Sequence, residues 1–222
     1  MLIEPGPGAV RAMLEDDMHR MLARISHDGA RVLAIEARIE RAPWTTCPSA
    51  VEMLQRTFAG CLLAEVSARR DKPSNCTHLH DLAVLAAAHA ADGAQTVFEV
   101  FASDPIDGER VLEIRRNGEV EWRWIECDEI LSAPAEISGK TLLTLRDWIA
   151  GLEGQAKESA RLLQWASLVA HGRTLPMERQ SDASALPPSC YTLQPDRAAI
   201  AKRIGSPVDF SSAARRPLEG MT

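Results

Sequence analysis

The chain has 222 residues, of which 45% are hydrophobic and 25% charged, and its formal net charge is −6. That is enough apolar material to bury a core without staples. No basic stripe is present to displace counterions from a phosphate backbone, which argues against a nucleic-acid partner. No run approaches the ~20 apolar residues of a membrane span, and "MLIEPGPGAVRAMLEDD" lacks the basic flank and apolar centre of a signal peptide. The expectation is therefore a bacterial-type cytoplasmic protein without a membrane partner. Five cysteines, an odd number, do not make a disulfide framework in such a chain and leave metal binding, catalysis or packing for each.

In chain order, Pro5, Gly6, Pro7 and Gly8 predict a loose, extended leader, with order beginning near Leu14. From Met18 to Ser26 and from Arg31 to Arg41, apolar residues alternate with polar ones on either side of "SHDG", which predicts a β-hairpin. In this register His19 shares a face with Met21 and Ile25 and points to the core side. A first helix is expected within "RAPWTTCPSAVEMLQRTFAGCLLAEVSAR", with Thr46 as N-cap, Pro48 in the first turn, and Val51, Leu54, Phe58 and Leu62 as one buried stripe. A second helix follows "RRDKPSN", with Leu79, Leu82, Ala83 and Ala86 inward and Asn75 or Thr77 as cap. Residues 96–131 return to strand, with Asn117-Gly118 as a two-residue hairpin turn. Residues 140–171 carry helical spacing interrupted at Gly151 and Gly154, giving one or two helices. The tail is Ser/Pro-rich and then basic and amphipathic, suited to docking on its own domain or on a second subunit, which would make a homodimer.

The chemistry concentrates where two helices begin. Cys47 and Cys76 both open a helix, where unsatisfied N–H groups and the helix dipole favour a thiolate, the form that binds metal. His78 lies two residues after Cys76, and His19 faces inward from the neighbouring strand. These four are the candidate metal ligands, and a mixed thiolate and imidazole set suits Zn²⁺ or Fe²⁺ better than the oxygen-seeking Mg²⁺ or Ca²⁺. Asp81, one turn beyond His78, and Asp17, two residues before His19, are the candidate catalytic carboxylates. The competing reading of each is plain packing, or a Cys–His nucleophilic pair centred on Cys47. Cys61, Cys127 and Cys190 receive no role. Trp122 and Trp124 share one face of a strand and suit either core packing or the floor of an aromatic pocket. No phosphate-cradling glycine loop, nucleophile elbow or dinucleotide fingerprint is present.

The pattern formed by His19, Pro43-Trp44-x-x-Cys47 and Cys76-Thr77-His78-Leu79-x-Asp81-Leu82 resembles a bacterial family known as a domain of unknown function. Its members carry an inward His, a Pro-aromatic-x-x-Cys and a Gly-Cys-Thr-His-Leu-x-Glu-Leu signature. The resemblance covers roughly residues 10–130, with Asn75 in place of the glycine and Asp81 in place of the glutamate. The order of strands, cysteine-opened helix and second cysteine-opened helix is also similar to NifU-like iron–sulfur scaffold proteins. There Cys47 would match the middle cysteine, and Cys76 with His78 the last pair in reversed order, while "EDDMH" stands where the scaffold has its first Cys-Gly-Asp loop.

The combined expectation is an α+β fold, an antiparallel sheet with helices packed on one face and a NifU-like N-terminal part. Residues 1–93 would form the metal-binding part, 94–179 a strand and helix extension, and 180–222 a docking tail. The expected function is that of a metal-dependent enzyme with Zn or Fe as Lewis acid, a lyase or hydrolase for a small catabolic substrate, with aromatic compounds among the candidates. A non-enzymatic iron–sulfur or sulfur-handling scaffold is the alternative.

Overall fold

A computed structural model describes residues 1–69, 71–174, 181–212 and 215–221. The chain divides into two compact units, Met1–Gln95 with Pro176–Thr222, and Thr96–Leu175. The expected boundary at residues 179 and 180 lies outside the described residues. Both units combine antiparallel strands with helices, so the class is α+β.

The first unit starts with a four-stranded meander of β1 (Leu2–Gly6), β2 (Ala9–Glu15), β3 (Arg20–His27) and β4 (Val32–Arg41). Each strand pairs antiparallel with the next. The leader is thus not loose. Pro7-Gly8 makes a tight turn, with Gly8 at φ +68°, where a residue without Cβ is favoured. Glycines and prolines that suggested disorder instead close a hairpin, and Ile3, Val10 and Ala12 are buried. The register aligns Val10, Ala12 and Leu14 with Ile25, Ala23 and Met21, and these with Ile35, Ala37 and Ile39. Because side chains alternate across a strand, this row is one continuous apolar face.

Helices α1 (Ala50–Phe58) and α2 (Thr77–Ala88) pack on the strands, α1 against β4 and α2 against β2 and β3. Leu54 and Phe58 of α1 and Leu79, Leu82, Ala83 and Ala86 of α2 are fully buried. Truncating one such leucine to alanine costs roughly 2–5 kcal/mol. The first helix is shorter than its periodicity implied. A 3₁₀ turn, Cys47–Ser49, leads into α1, which stops at Gly60 with φ +78°. Cys61 therefore lies beyond the helix. Its carbonyl accepts the Val32 N–H at 2.9 Å, and Leu63 N–H donates to Ala30 O at 2.8 Å, so residues 60–63 run along the start of β4. Backbone pairing with the sheet competes there with continuation of the helix and wins.

The tail of the same unit lies against these elements. Tyr191 N–H donates to Asn75 O at 2.8 Å, Thr45 N–H to Lys202 O at 3.0 Å, and Val208 N–H to Asp17 O at 2.8 Å. The Arg203 guanidinium lies 5.4 Å from the centre of the Trp44 ring. Glu15, whose side chain is fully buried, takes Arg20 at 2.5 Å, Arg41 at 3.1 Å, Arg215 at 3.3 Å and the Leu218 N–H at 2.6 Å. Several cationic partners satisfy a carboxylate whose burial alone would be costly.

The second unit has strands β5 (Thr96–Ala102), β6 (Glu109–Arg116), β7 (Glu119–Cys127) and β8 (Ile130–Ala133), again consecutive and antiparallel. Asn117 and Gly118, with φ +51° and +87°, make the expected two-residue turn. Asp128 and Glu129 do the same at +49° and +66°, a turn without glycine that sequence reading passes over. Helices α3 (Arg146–Ala150) and α4 (Gly154–Thr174) are separated at the glycines, and α4 crosses β5, β6 and β7. Trp122 and Trp124 do share a face, and both meet the edge of Trp148, at centroid distances of 5.3 and 6.3 Å. Trp124 is fully buried in the core, and the half-buried Trp122 donates to Ala156 O at 2.9 Å.

Candidate metal centre

The connection between β2 and β3 is the four residues Asp16, Asp17, Met18 and His19. Its shape follows from Asp16. One carboxylate oxygen, Oδ1, accepts the N–H groups of Met18 and His19, both at 2.7 Å, while Asp16 N–H donates to His19 O at 3.0 Å. An aspartate that bonds the backbone two and three residues on is a turn-maker in its own right. The same Oδ1 faces His19 Nδ1 at 3.0 Å, with Oδ2 at 3.2 Å. His19 is 6% exposed and sits at the end of the apolar row that begins with Met21.

The second imidazole comes from α2. Cys76 is the N-cap by position, Thr77 starts the helix, and His78 in the first turn lies over His19, with ring centroids 3.7 Å apart and planes at 30°. The start of α2 is fixed by Asn75, which is completely buried. Its Nδ2 donates to Thr57 Oγ1 of α1 at 3.0 Å and to Asp71 O at 2.9 Å. The asparagine that departs from the glycine of the family signature therefore ties α1 to the loop that presents His78. Asp81 is held by Lys72 Nζ at 2.5 Å.

One carboxylate oxygen and one nitrogen from each ring, of Asp16, His19 and His78, all lie within 4.8 Å of one another. Of the four ligands expected from sequence, His19 and His78 are brought together, and Cys47 and Cys76 lie outside this group. The third member is Asp16 rather than its neighbour Asp17. The signal for Asp16 was present in the sequence, since an aspartate three residues before an inward histidine can cap that histidine's own N–H.

The charge states suit a cation. Burial opposes ionisation of Asp16, but His19, His78 and the turn N–H groups outweigh it and bring its pKa down to about 2. Burial, with His19 beside it, pushes His78 down to about 3, so its ring is neutral at pH 7. A metal requires an ionised carboxylate and neutral imidazoles. Two imidazoles on one tetrahedral ion at ordinary Zn–N lengths stand roughly 5 Å apart at their centroids. The donor set fits an ion once the rings, 3.7 Å apart in the stack, open by roughly 1.5 Å. Asp81 is also held below the ordinary carboxylate range; burial opposes this, and the His80 and Lys72 contacts prevail.

The cysteines behave differently from the thiolates that their helix-end positions suggested. Burial drives the Cys76 thiol up to about 12, against the pull of the Leu79 N–H. Cys47 is raised too, again by burial, despite a hydrogen bond from Thr192 Oγ1 at 3.4 Å. Removal from water outweighs a short helix's dipole at both.

Fold and geometry together define an α+β domain with an Asp–His–His group, one member buried and two half-buried, at the mouth of a helix. Residues 8–92, which hold all three of these side chains, match the family model described as Protein of unknown function (DUF2889). No curated protein and no solved structure matches the chain. Among the described residues, no helix is long and apolar enough to cross a membrane.

Proposed function

We propose that the first unit is a metal-dependent catalytic domain in which Asp16, His19 and His78 hold one Zn²⁺ or Fe²⁺. The observation that carries this reading is the convergence of an ionised carboxylate and two imidazoles within 4.8 Å. Three protein ligands leave a position for water or a substrate oxygen, and a bound ion there supplies Lewis-acid polarisation. Asp16 orients the His19 ring through Nδ1 and fixes its own oxygen through the turn N–H groups. Asp81, ionised and held by Lys72, and Asp17 are the carboxylates available to move a proton. Lyase or hydrolase chemistry on a small oxygenated substrate follows from this set. The tryptophans give no support to an aromatic substrate, because Trp122 and Trp124 pack on Trp148.

A non-enzymatic iron–sulfur or sulfur-handling scaffold is the second reading. It draws on the NifU-like order of elements and on two buried thiols, Cys47 and Cys76, at successive helix starts. Elemental and acid-labile sulfide analysis of anaerobically purified protein separates the two. The enzyme reading expects one Zn or Fe per chain without sulfide, and the scaffold reading expects sulfide with a visible absorption band. Absence of both metal and sulfide would remove both readings.

A further inference from the structure

The C-terminal tail reaches the loop that supplies two of the three metal donors. Val208 N–H donates to Asp17 O at 2.8 Å, in the middle of the turn at residues 16–19, and Arg203 Nη2 meets Met18 Sδ at 4.0 Å. Arg41 Nη2 grips the two ends of that turn, donating to Asp16 O at 2.6 Å and to His19 O at 3.3 Å, while its Nη1 donates to Glu15 Oε1 at 3.1 Å. The carbonyls of Asp16, Asp17 and His19 are all held. Glu15 passes the grip on to the tail, because the same carboxylate accepts Arg215 Nη2 at 3.3 Å and the Leu218 N–H at 2.6 Å. The Phe210 ring meets both cations, its centre 6.0 Å from the Arg41 guanidinium and 5.5 Å from that of Arg215. Arg20 Nη2 closes the network on Glu219 O at 2.8 Å.

We infer that residues 203–212 and 215–219 form a strap that sets the position of the metal loop, so that docking of the tail and binding of the ion strengthen each other. The inference rests on the metal reading of Asp16, His19 and His78. Phe210 and Arg215 are positioning residues, which act on the donors through Arg41 and Glu15. A turn left free must lose backbone freedom when the ion arrives. One already bonded at its carbonyls has lost that freedom beforehand, which raises affinity without adding a ligand. The same bonds run the other way. An ion that fixes Asp16 and His19 steadies the carbonyls and the Glu15 carboxylate to which the tail is tied, and linkage makes the two effects equal in size.

The test is Zn²⁺ titration of the full-length protein against a chromophoric chelator, combined with amide hydrogen exchange read by mass spectrometry with and without Zn²⁺. Disturbing the groups that orient a metal's ligands costs roughly 10–100-fold in affinity, and the double variant Phe210→Ala with Arg215→Ala is expected to weaken Zn²⁺ binding by that much. In wild type, Zn²⁺ is expected to slow exchange in the peptides carrying Val208 and Leu218 by about tenfold or more, with β6 and β7 of the second unit unchanged. His19→Asn is expected to abolish the slowing. Wild-type affinity in the double variant, or exchange at Val208 and Leu218 that bound Zn²⁺ does not move, would each overturn the strap and leave the metal centre standing. No Zn²⁺ uptake by wild type, or slowing that persists undiminished in His19→Asn, would overturn the metal reading and the strap with it. The exchange measurement on wild type needs no variant and is independent of any effect of substitution on folding.

Discussion

Acidification of the metal-free protein offers a quantitative test of His78. Its pKa falls from an ordinary 6.5 to about 3 on folding. Between those values the unfolded chain binds a proton that the folded chain refuses, so stability rises with pH and is lost as pH falls below 6.5. At pH 5 the unfolded imidazole is almost fully protonated and the folded one is not. The gap of about 1.5 pH units corresponds to roughly 2 kcal/mol, at 1.36 kcal/mol per unit. Asp16 acts in the same direction but only below about pH 4, because its pKa moves from 3.8 to about 2. The window from pH 7 to 5 therefore isolates His78 from that carboxylate. The assay is urea unfolding in chelator at pH 7 and pH 5, for wild type and His78→Asn. Wild type is expected to lose about 2 kcal/mol more than the variant over this interval. An equal loss in both, or an NMR titration placing His78 near pH 6.5, would refute the reasoning.

Three further outcomes follow from the geometry. Asp16→Ala removes two backbone bonds and the His19 contact, and is expected to cost roughly 1–3 kcal/mol in urea unfolding, whereas Asp16→Asn keeps an oxygen acceptor for the turn and loses less stability while still losing metal. Iodoacetamide at pH 8 is expected to label Cys127 first and to leave Cys47 and Cys76 of the metal-free native protein almost unreacted, since only thiolates attack; peptide mass mapping reads the order. Trp124→Ala in the second unit is expected to cost roughly 3–5 kcal/mol by calorimetry or urea unfolding, because the ring is fully buried against Trp148.

Period-two alternation made β3, β4, β6 and β7 legible, because one face of each is more buried than the other, and the apolar run of α2, most of which is buried, made that helix legible. The leader was misread for a physical reason. Pro5, Gly6, Pro7 and Gly8 have the composition of a loose segment, and only the pairing of β1 with β2 shows that they form the end of a strand and its turn. The end of α1 was hidden as well, since the apolar spacing through Leu62 continues past Gly60 while the backbone leaves the helix to bond β4.

At the candidate site, His78 is legible because it opens a recognisable helix, and His19 because it immediately precedes the alternating row of β3. Asp16 was one residue from the carboxylate chosen, and a loop offers no periodicity to separate neighbours. Helix-end arguments gave the wrong charge state for Cys76, since they counted the dipole and omitted the cost of leaving water.

X-ray absorption spectroscopy of the Zn²⁺-loaded protein, at one equivalent per chain, tests the Asp16, His19 and His78 centre most directly. The expected spectrum has nitrogen and oxygen neighbours near 2.0–2.1 Å, with the multiple scattering of two imidazoles and no sulfur shell. A sulfur shell near 2.3 Å would place the ion on the cysteines and contradict the account.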